Sequence, residues 1–198
     1  SEEVIAPGTV IISAAGVCDN IRGIVEPVFQ PGSGSIYYIN LSGDAYHLGG
    51  SSFAQVRNRI GDQTPDVLDA AGLAKAFDVI QELIHDGKIA AGHDVSAGGL
   101  ITTLLEMCFA DNNLGAQVDL SALGESDPVR VLFAENSGLV LQLKDDSDGA
   151  ALEDIPLPWH RLGRVVKAND LTVTISNDSY KFTVDHYRDV WYETSRLL

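Results

Sequence analysis

One stretch limits what this chain can fold into more than any other: Gly92-His93-Asp94-Val95-Ser96-Ala97-Gly98-Gly99-Leu100. It opens a run that is apolar at Leu100, Ile101, Leu104, Leu105 and Cys108, the spacing of a buried helix face. Lys88-Ile89-Ala90-Ala91 before it reads as a short strand. An imidazole, a carboxylate and a hydroxyl therefore fall on a turn between a strand end and a helix start. Free backbone N–H groups and the positive end of the helix dipole favour anions at such a place. Asp94 adds a hard oxygen of the kind Mg²⁺ takes when it also carries phosphate oxygens. The local pattern leaves a second reading open, in which Asp94 or Ser96 caps the helix and the glycines allow close packing.

At 198 residues the chain is long enough to bury a full core as one domain, or at most two small ones. Its formal net charge of −15 argues against nucleic acid or an anionic membrane as partner, since both need a basic footprint. A nucleotide is still compatible, because a local loop or a metal can bind phosphate inside an acidic protein. Cys18 and Cys108 form no metal pattern, and a reduced, cytoplasmic protein is the simple expectation. No signal peptide and no apolar run long enough to cross a membrane is visible. The start at Ser1-Glu2-Glu3, without a Met, reads as the cut end of something longer.

In chain order, Thr9–Ala14 is a β-rich run expected as the first strand, after Pro7-Gly8. Ile21, Ile24, Val25 and Val28 suggest a second strand or a short turn, and Ile36–Leu41 a strand. The following Leu48-Gly49-Gly50-Ser51-Ser52-Phe53-Ala54-Gln55 is a second strand–glycine loop–helix unit, with Ser51 or Ser52 placed to cap. Gly49 and Gly50 either let backbone amides approach a phosphate or make a plain tight turn, and the spacing matches no nucleotide fingerprint. His47 reads as a loop or packing histidine.

Asp66 or Asp69 opens a helix near 73–86 with Leu73, Phe77, Ile80 and Ile84 on one face, ended by Gly87. The central helix is expected over 98–110. Further strands fall at 116–120, 139–143 and 160–166, with a helix from Pro128 between the first two. Glu135, just beyond that helix, is either a functional carboxylate or a tie between a helix end and neighbouring backbone. Asp145–Asp148 reads as a solvated helix start. Residues 171–176 and 180–184 form a hairpin, and Asp185 is expected to cap a last amphipathic helix. The class is α+β, with a mixed sheet and the helices near 73–86 and 98–110 as principal core helices. Both glycine turns are expected on the same side of the sheet, because ligands collect at strand-to-helix ends.

Four motifs in order, Leu48–Gln55, His93–Leu100, Phe133-Ala134-Glu135-x-x-Gly138 and Trp191-Tyr192-Glu193-Thr194-Ser195, resemble phosphoribosylformylglycinamidine synthase. They look like the second of its two aminoimidazole-ribonucleotide-synthetase-like C-terminal domains, from Pro7 to Leu198. The resemblance implies a three-layer α/β/α fold, with residues 1–198 as a single C-terminal-type domain cut from a larger multidomain chain. It also implies a ligase of purine biosynthesis: ATP phosphorylates the amide oxygen of formylglycinamide ribonucleotide, and glutamine-derived ammonia then displaces phosphate to give the amidine. Asp94 corresponds to a Mg²⁺ ligand and Ser96 to a nucleotide contact. Gly49, Gly50, Ser51, His93, Gly98 and Gly99 complete the nucleotide- or phosphate-binding candidates, and no catalytic residue is assigned. The implied partners are the remaining synthetase domains and a glutaminase domain. One carboxylate cannot fix octahedral Mg²⁺ or hold ATP alone, so the isolated chain is expected to be inert. The alternatives are a free-standing nucleotide-binding or regulatory module of the same fold, and a purely structural interaction domain.

Overall fold

The computed structural model describes residues 11–18, 20–61 and 63–196. Ser1–Glu3, Pro7-Gly8, the first two residues of the expected strand at Thr9, and Leu198 lie outside them. Seven strands form one mixed sheet: β1 (Ile36–Asn40), β2 (Ile89–Asp94), β3 (Gly115–Asp119), β4 (Gly138–Leu143), β5 (Trp159–Val166), β6 (Asp170–Ile175) and β7 (Asp178–Thr183). Their order is β2-β4-β1-β5-β3-β6-β7. Neighbours run antiparallel except for the parallel pair β3 and β6.

Helices cover both faces, as a three-layer arrangement requires. Side chains of β1 alternate strictly: Ile36 and Tyr38 join one core, Tyr37 and Ile39 the other. The first core is closed by α3 (Gly99–Glu106), α4 (Pro128–Phe133) and the start of α5 (Val184–Arg196), through Leu100, Leu104, Val131, Leu132 and Val184. The second is closed by α2 (Ala70–His85) and a 3₁₀ helix at Asp146–Asp154, through Ala76, Ile80, Leu83 and Leu152. Burial pushes the Cys108 thiol in the first core up to about 12, so it is a packing residue, while Cys18 is exposed and also free.

Local signals account for most element ends. Asp69 Oδ1 accepts from the Gly72 amide at 2.8 Å to open α2. Its end is a Schellman closure, with Gly87 N–H donating to Ile84 O and Lys88 N–H to Leu83 O. Asp127 caps α4 through Val129 N–H at 2.9 Å, with Pro128 in the first turn. Asp145 caps the 3₁₀ helix through Ser147 N–H at 2.8 Å.

Four expectations are corrected. Residues 11–14 form no strand; Ile11 and Ile12 are each 86% exposed, with no neighbouring strand to pair with. Helix α3 ends at Glu106 rather than near 110, because Cys108 and Phe109 already bond three residues back, to Leu105 O and Glu106 O. Phe77 does not enter the core of α2 but is exposed on a groove rim, since the helix is apolar over a wider arc than the sheet covers. Asp185 lies in the first turn of α5 rather than at its cap: Asn169 Oδ1 accepts the Asp185 N–H at 3.1 Å from across the chain.

Candidate functional site

Strands β1 and β2 both pair antiparallel with β4, so both end at the edge where β4 begins, with Asn40 opposite Gly138 and Asp94 opposite Leu139. The chain leaves β1 through the 42–51 loop and α1 (Ser52–Val56), leaves β2 through 95–98 into α3, and enters β4 through Ala134–Ser137. These three connections are stitched together. Ser42 N–H donates to Ser137 O at 2.9 Å, Asn136 Nδ2 to Ser42 Oγ at 2.9 Å and to Ala45 O at 3.1 Å. Glu135 then joins the two glycine turns, one of its oxygens accepting from both Ser52 N–H and Gly98 N–H at 2.8 Å each. The turns therefore lie on the same side of the sheet, as expected.

Within the first turn, Ser51 Oγ accepts from Ala54 N–H at 3.2 Å and caps α1. The Gly49 and Gly50 amides donate to Gln63 O and Ile60 O, each at 2.7 Å. A Cβ on Gly49 would sit 2.1 Å from Gln63 O, so glycine is required there by the approach of a neighbouring loop. Both amides are consumed inside the chain.

The second turn owes its geometry to a bulge. The β2–β4 register shifts between Ile89 and Ala91, so these two side chains, which strict alternation would place on one face, enter opposite cores. The bulge aims His93 at α3, where its Nε2 lies 3.4 Å from Glu106 Oε2. His93 Nδ1 lies 2.8 Å from Asp94 O, and Thr103 Oγ1 donates to the same carbonyl at 3.3 Å. The Asp94 backbone is thus held from two sides while its carboxylate stays 76% exposed. Ser96 is exposed as well. Neither caps α3: the cap position is Gly98, without a side-chain cap bond, and its N–H goes to Glu135. The capping alternative for Asp94 and Ser96 is thereby removed.

Two cavities flank the turn. An apolar groove of about 490 Å³ runs between α2 and β2, with Phe77, Ile80, His93 and Asp94 in its walls. A cleft of about 410 Å³ on the other side is lined by His93, Ser96, Glu106, Phe109, Trp191 and Tyr192. Trp191 Nε1 donates to the second Glu106 oxygen at 3.1 Å, so this carboxylate spans the imidazole and the indole. Sequence reasoning passed over Glu106, although it is the one charged residue inside the apolar Leu100–Cys108 run. His47 lies apart, with Gly49 and Arg130 around a small cavity of about 190 Å³. No group of three or more His, Cys, Asp or Glu side chains able to hold a metal occurs among the described residues.

Residues 36–176, from the start of β1 to just past β6, match the model of the AIR synthase related protein C-terminal domain. The chain belongs to this family. Among curated relatives it is 37% identical to the human phosphoribosylformylglycinamidine synthase, over 98% of the chain but only 15% of that protein. It is 35% identical to the probable chloroplastic/mitochondrial synthase of Arabidopsis thaliana, over 98% of the chain and 14% of the relative. This AIR synthase related domain therefore spans about one-seventh of those relatives' length. Among solved structures it is similar to the Thermotoga maritima PurL complexed with FGAR, at TM-score 0.65 and 22% identity, covering 85% of this chain and 30% of that one. It is also similar to the same protein complexed with ATP, at TM-score 0.59 and 19% identity over 83% and 27%. These likenesses show the fold. The family read from the motifs and the α+β class are both borne out.

Proposed function

We propose that this chain is one domain of a phosphoribosylformylglycinamidine synthase, a glutamine-dependent ligase of purine biosynthesis, and that its glycine-turn edge is half of a nucleotide–Mg²⁺ site. The observation that carries the reading is identity at 37% across 98% of the chain to a protein of that name. The substrate would be formylglycinamide ribonucleotide, with ATP as phosphoryl donor and ammonia arriving from a glutaminase domain. The other synthetase domains of the same enzyme would complete the site, and two free cysteines suit a cytoplasmic setting.

The donor set fits a half-site. Asp94 offers one exposed hard carboxylate on a backbone held by His93 and Thr103, and Mg²⁺ usually takes one or two carboxylates plus phosphate oxygens and water. When bound, Mg²⁺ would neutralise charge on the nucleotide phosphates. Ser96 lies beside Asp94, free to donate its hydroxyl to a phosphate oxygen. His93, Gly98 and Gly99 act as the frame that orients this pair, and Gly49, Gly50 and Ser51 bring the first turn against it.

Asp94→Asn in the full-length enzyme tests the reading by titrating ADP with and without Mg²⁺. The substitution keeps size but removes the charge, so Mg²⁺-dependent affinity should fall about tenfold or more while the stability of the 198-residue chain barely changes. Unchanged Mg²⁺-dependent binding, or measurable ATP turnover by the 198-residue chain alone, would overturn the half-site.

A further inference from the structure

The amides of Ser52 and Gly98 stand at two helix starts 46 residues apart in sequence, yet both end on one oxygen of Glu135, at 2.8 Å each. A carboxylate accepting two backbone amides makes charge-assisted bonds, the stronger kind. The stacked rings of Phe53 on α1 and Phe133 on α4, with centroids 5.0 Å apart, tie the first turn a second time to the segment that carries Glu135. Glu135 therefore sits where an incoming anion would otherwise meet turn amides. With Gly49 and Gly50 also committed to Gln63 and Ile60, these four amides of the two turns are spent within the chain. On the Asp94 side of the edge the charged side chains facing the two cavities are Asp94 and Glu106, with Glu135 behind the turn. Arg130 stands beside Gly49 in the separate small cavity, and Arg57 lies over the Phe53 ring. Neither the groove nor the cleft has a lysine or arginine among its described lining residues.

From this we infer that Glu135 is a positioning residue: it locks the two glycine turns into one unit and, by filling their anion position, makes the edge accept a polyphosphate only as its metal complex. The inference rests on the nucleotide–Mg²⁺ reading of the same edge. At the Asp94 turn, free polyphosphate would meet three carboxylates, no lysine or arginine from the groove or cleft walls, and no uncommitted amide among those four. A metal-bound one would bring its own cation to Asp94, whose turn Glu135 holds in register with the first.

Two variants separate positioning from plain structural support. In Glu135→Gln the side-chain carbonyl still accepts both amides; in Glu135→Ala nothing does. Hydrogen exchange of the chain, followed by NMR, should show the Ser52 and Gly98 amides speeding up together in the alanine variant by about tenfold or more, with most protection restored by glutamine. In the full-length enzyme, ADP affinity is then measured with and without Mg²⁺. Glu135→Ala should weaken Mg²⁺–ADP and strengthen free ADP, so that the ratio of the two affinities drops about tenfold. A merely structural role would weaken both alike and leave the ratio unchanged, and that result overturns the inference. Unlinked exchange of the two amides does so as well. Loss of the parent reading looks different: Asp94→Asn would leave Mg²⁺ dependence untouched, while the exchange experiment still decides whether Glu135 joins the turns.

Discussion

Gly99 shows how tightly single residues are specified at the edge of this sheet. Its φ is +75°, and a Cβ there would lie 2.7 Å from Leu132 O and 2.8 Å from the Phe133 backbone. The residue is thus fixed twice, by a left-handed backbone and by the approach of α3 to α4. Gly99→Ala should cost on the order of 2–3 kcal/mol, read as a lower urea midpoint at unchanged slope. Gly98 is constrained likewise: its φ is +91°, and a Cβ there would lie 2.3 Å from the Thr102 hydroxyl and 3.0 Å from Thr102 Cβ, which side-chain rotation does not move. The glycines of the motif therefore serve packing directly. Asp94 and Ser96 are its exposed polar members, and the proposed half-site rests on them. This division is invisible in the sequence, where glycine and aspartate alike are compatible with a cap, a turn or a phosphate loop.

Elements were legible wherever a local pattern fixed both ends. Helix α2 follows from its 3.6-residue periodicity, its Asp69 cap and its Gly87 closure, all within reach of one another in sequence. Helix α5 shows the opposite case. Its amphipathic pattern announces a helix, but the groups at its start are satisfied from the β5–β6 connection. Asn169 O accepts Val184 N–H at 3.0 Å, Asn169 Oδ1 accepts Asp185 N–H at 3.1 Å, and Asn169 Nδ2 donates to Asp185 Oδ2 at 2.7 Å. Asn169→Ala should therefore destabilise the chain by about 1 kcal/mol, as losing an ordinary N-cap does, and urea denaturation measures it. Asp185→Asn should cost less, because the Asn169 oxygens that receive the two amides remain. Strand β2 carries a similar lesson. Reading its alternation from sequence sets Ile89 and Ala91 on one face, and only the pairing with β4 reveals the bulge that separates them.

At the scale of the whole molecule the acidic balance matters most. Several carboxyls are held below the usual range by donors within the fold: Asp146 by the Ser35 hydroxyl and amide and by Arg161, Asp44 by the Asp66 and Ala45 amides, Asp119 by Ser121. A carboxyl whose folded pKa is depressed contributes stability above its unfolded value, and that contribution is lost as pH falls through the folded value. The thermal midpoint should thus decline once pH drops below about 4. Asp146→Asn should flatten part of that decline, because Asp146 Oδ1 takes the Ser35 amide at 2.7 Å and links the 33–35 turn to the 3₁₀ helix. A decline equally steep in Asp146→Asn would place the acid sensitivity elsewhere. The family, the α+β class and most element positions could be read from the sequence because they rest on periodicity, caps and motif order, which are local in the chain. The site could be read only in part. The exposed polar members of the candidate site, Asp94 and Ser96, announce themselves by residue type. That Glu135 holds both turns, that Glu106 spans His93 and Trp191, and that Asn169 caps α5 were decided by tertiary structure alone, since each joins residues 13 to 85 positions apart whose meeting depends on how the strands are ordered in the sheet.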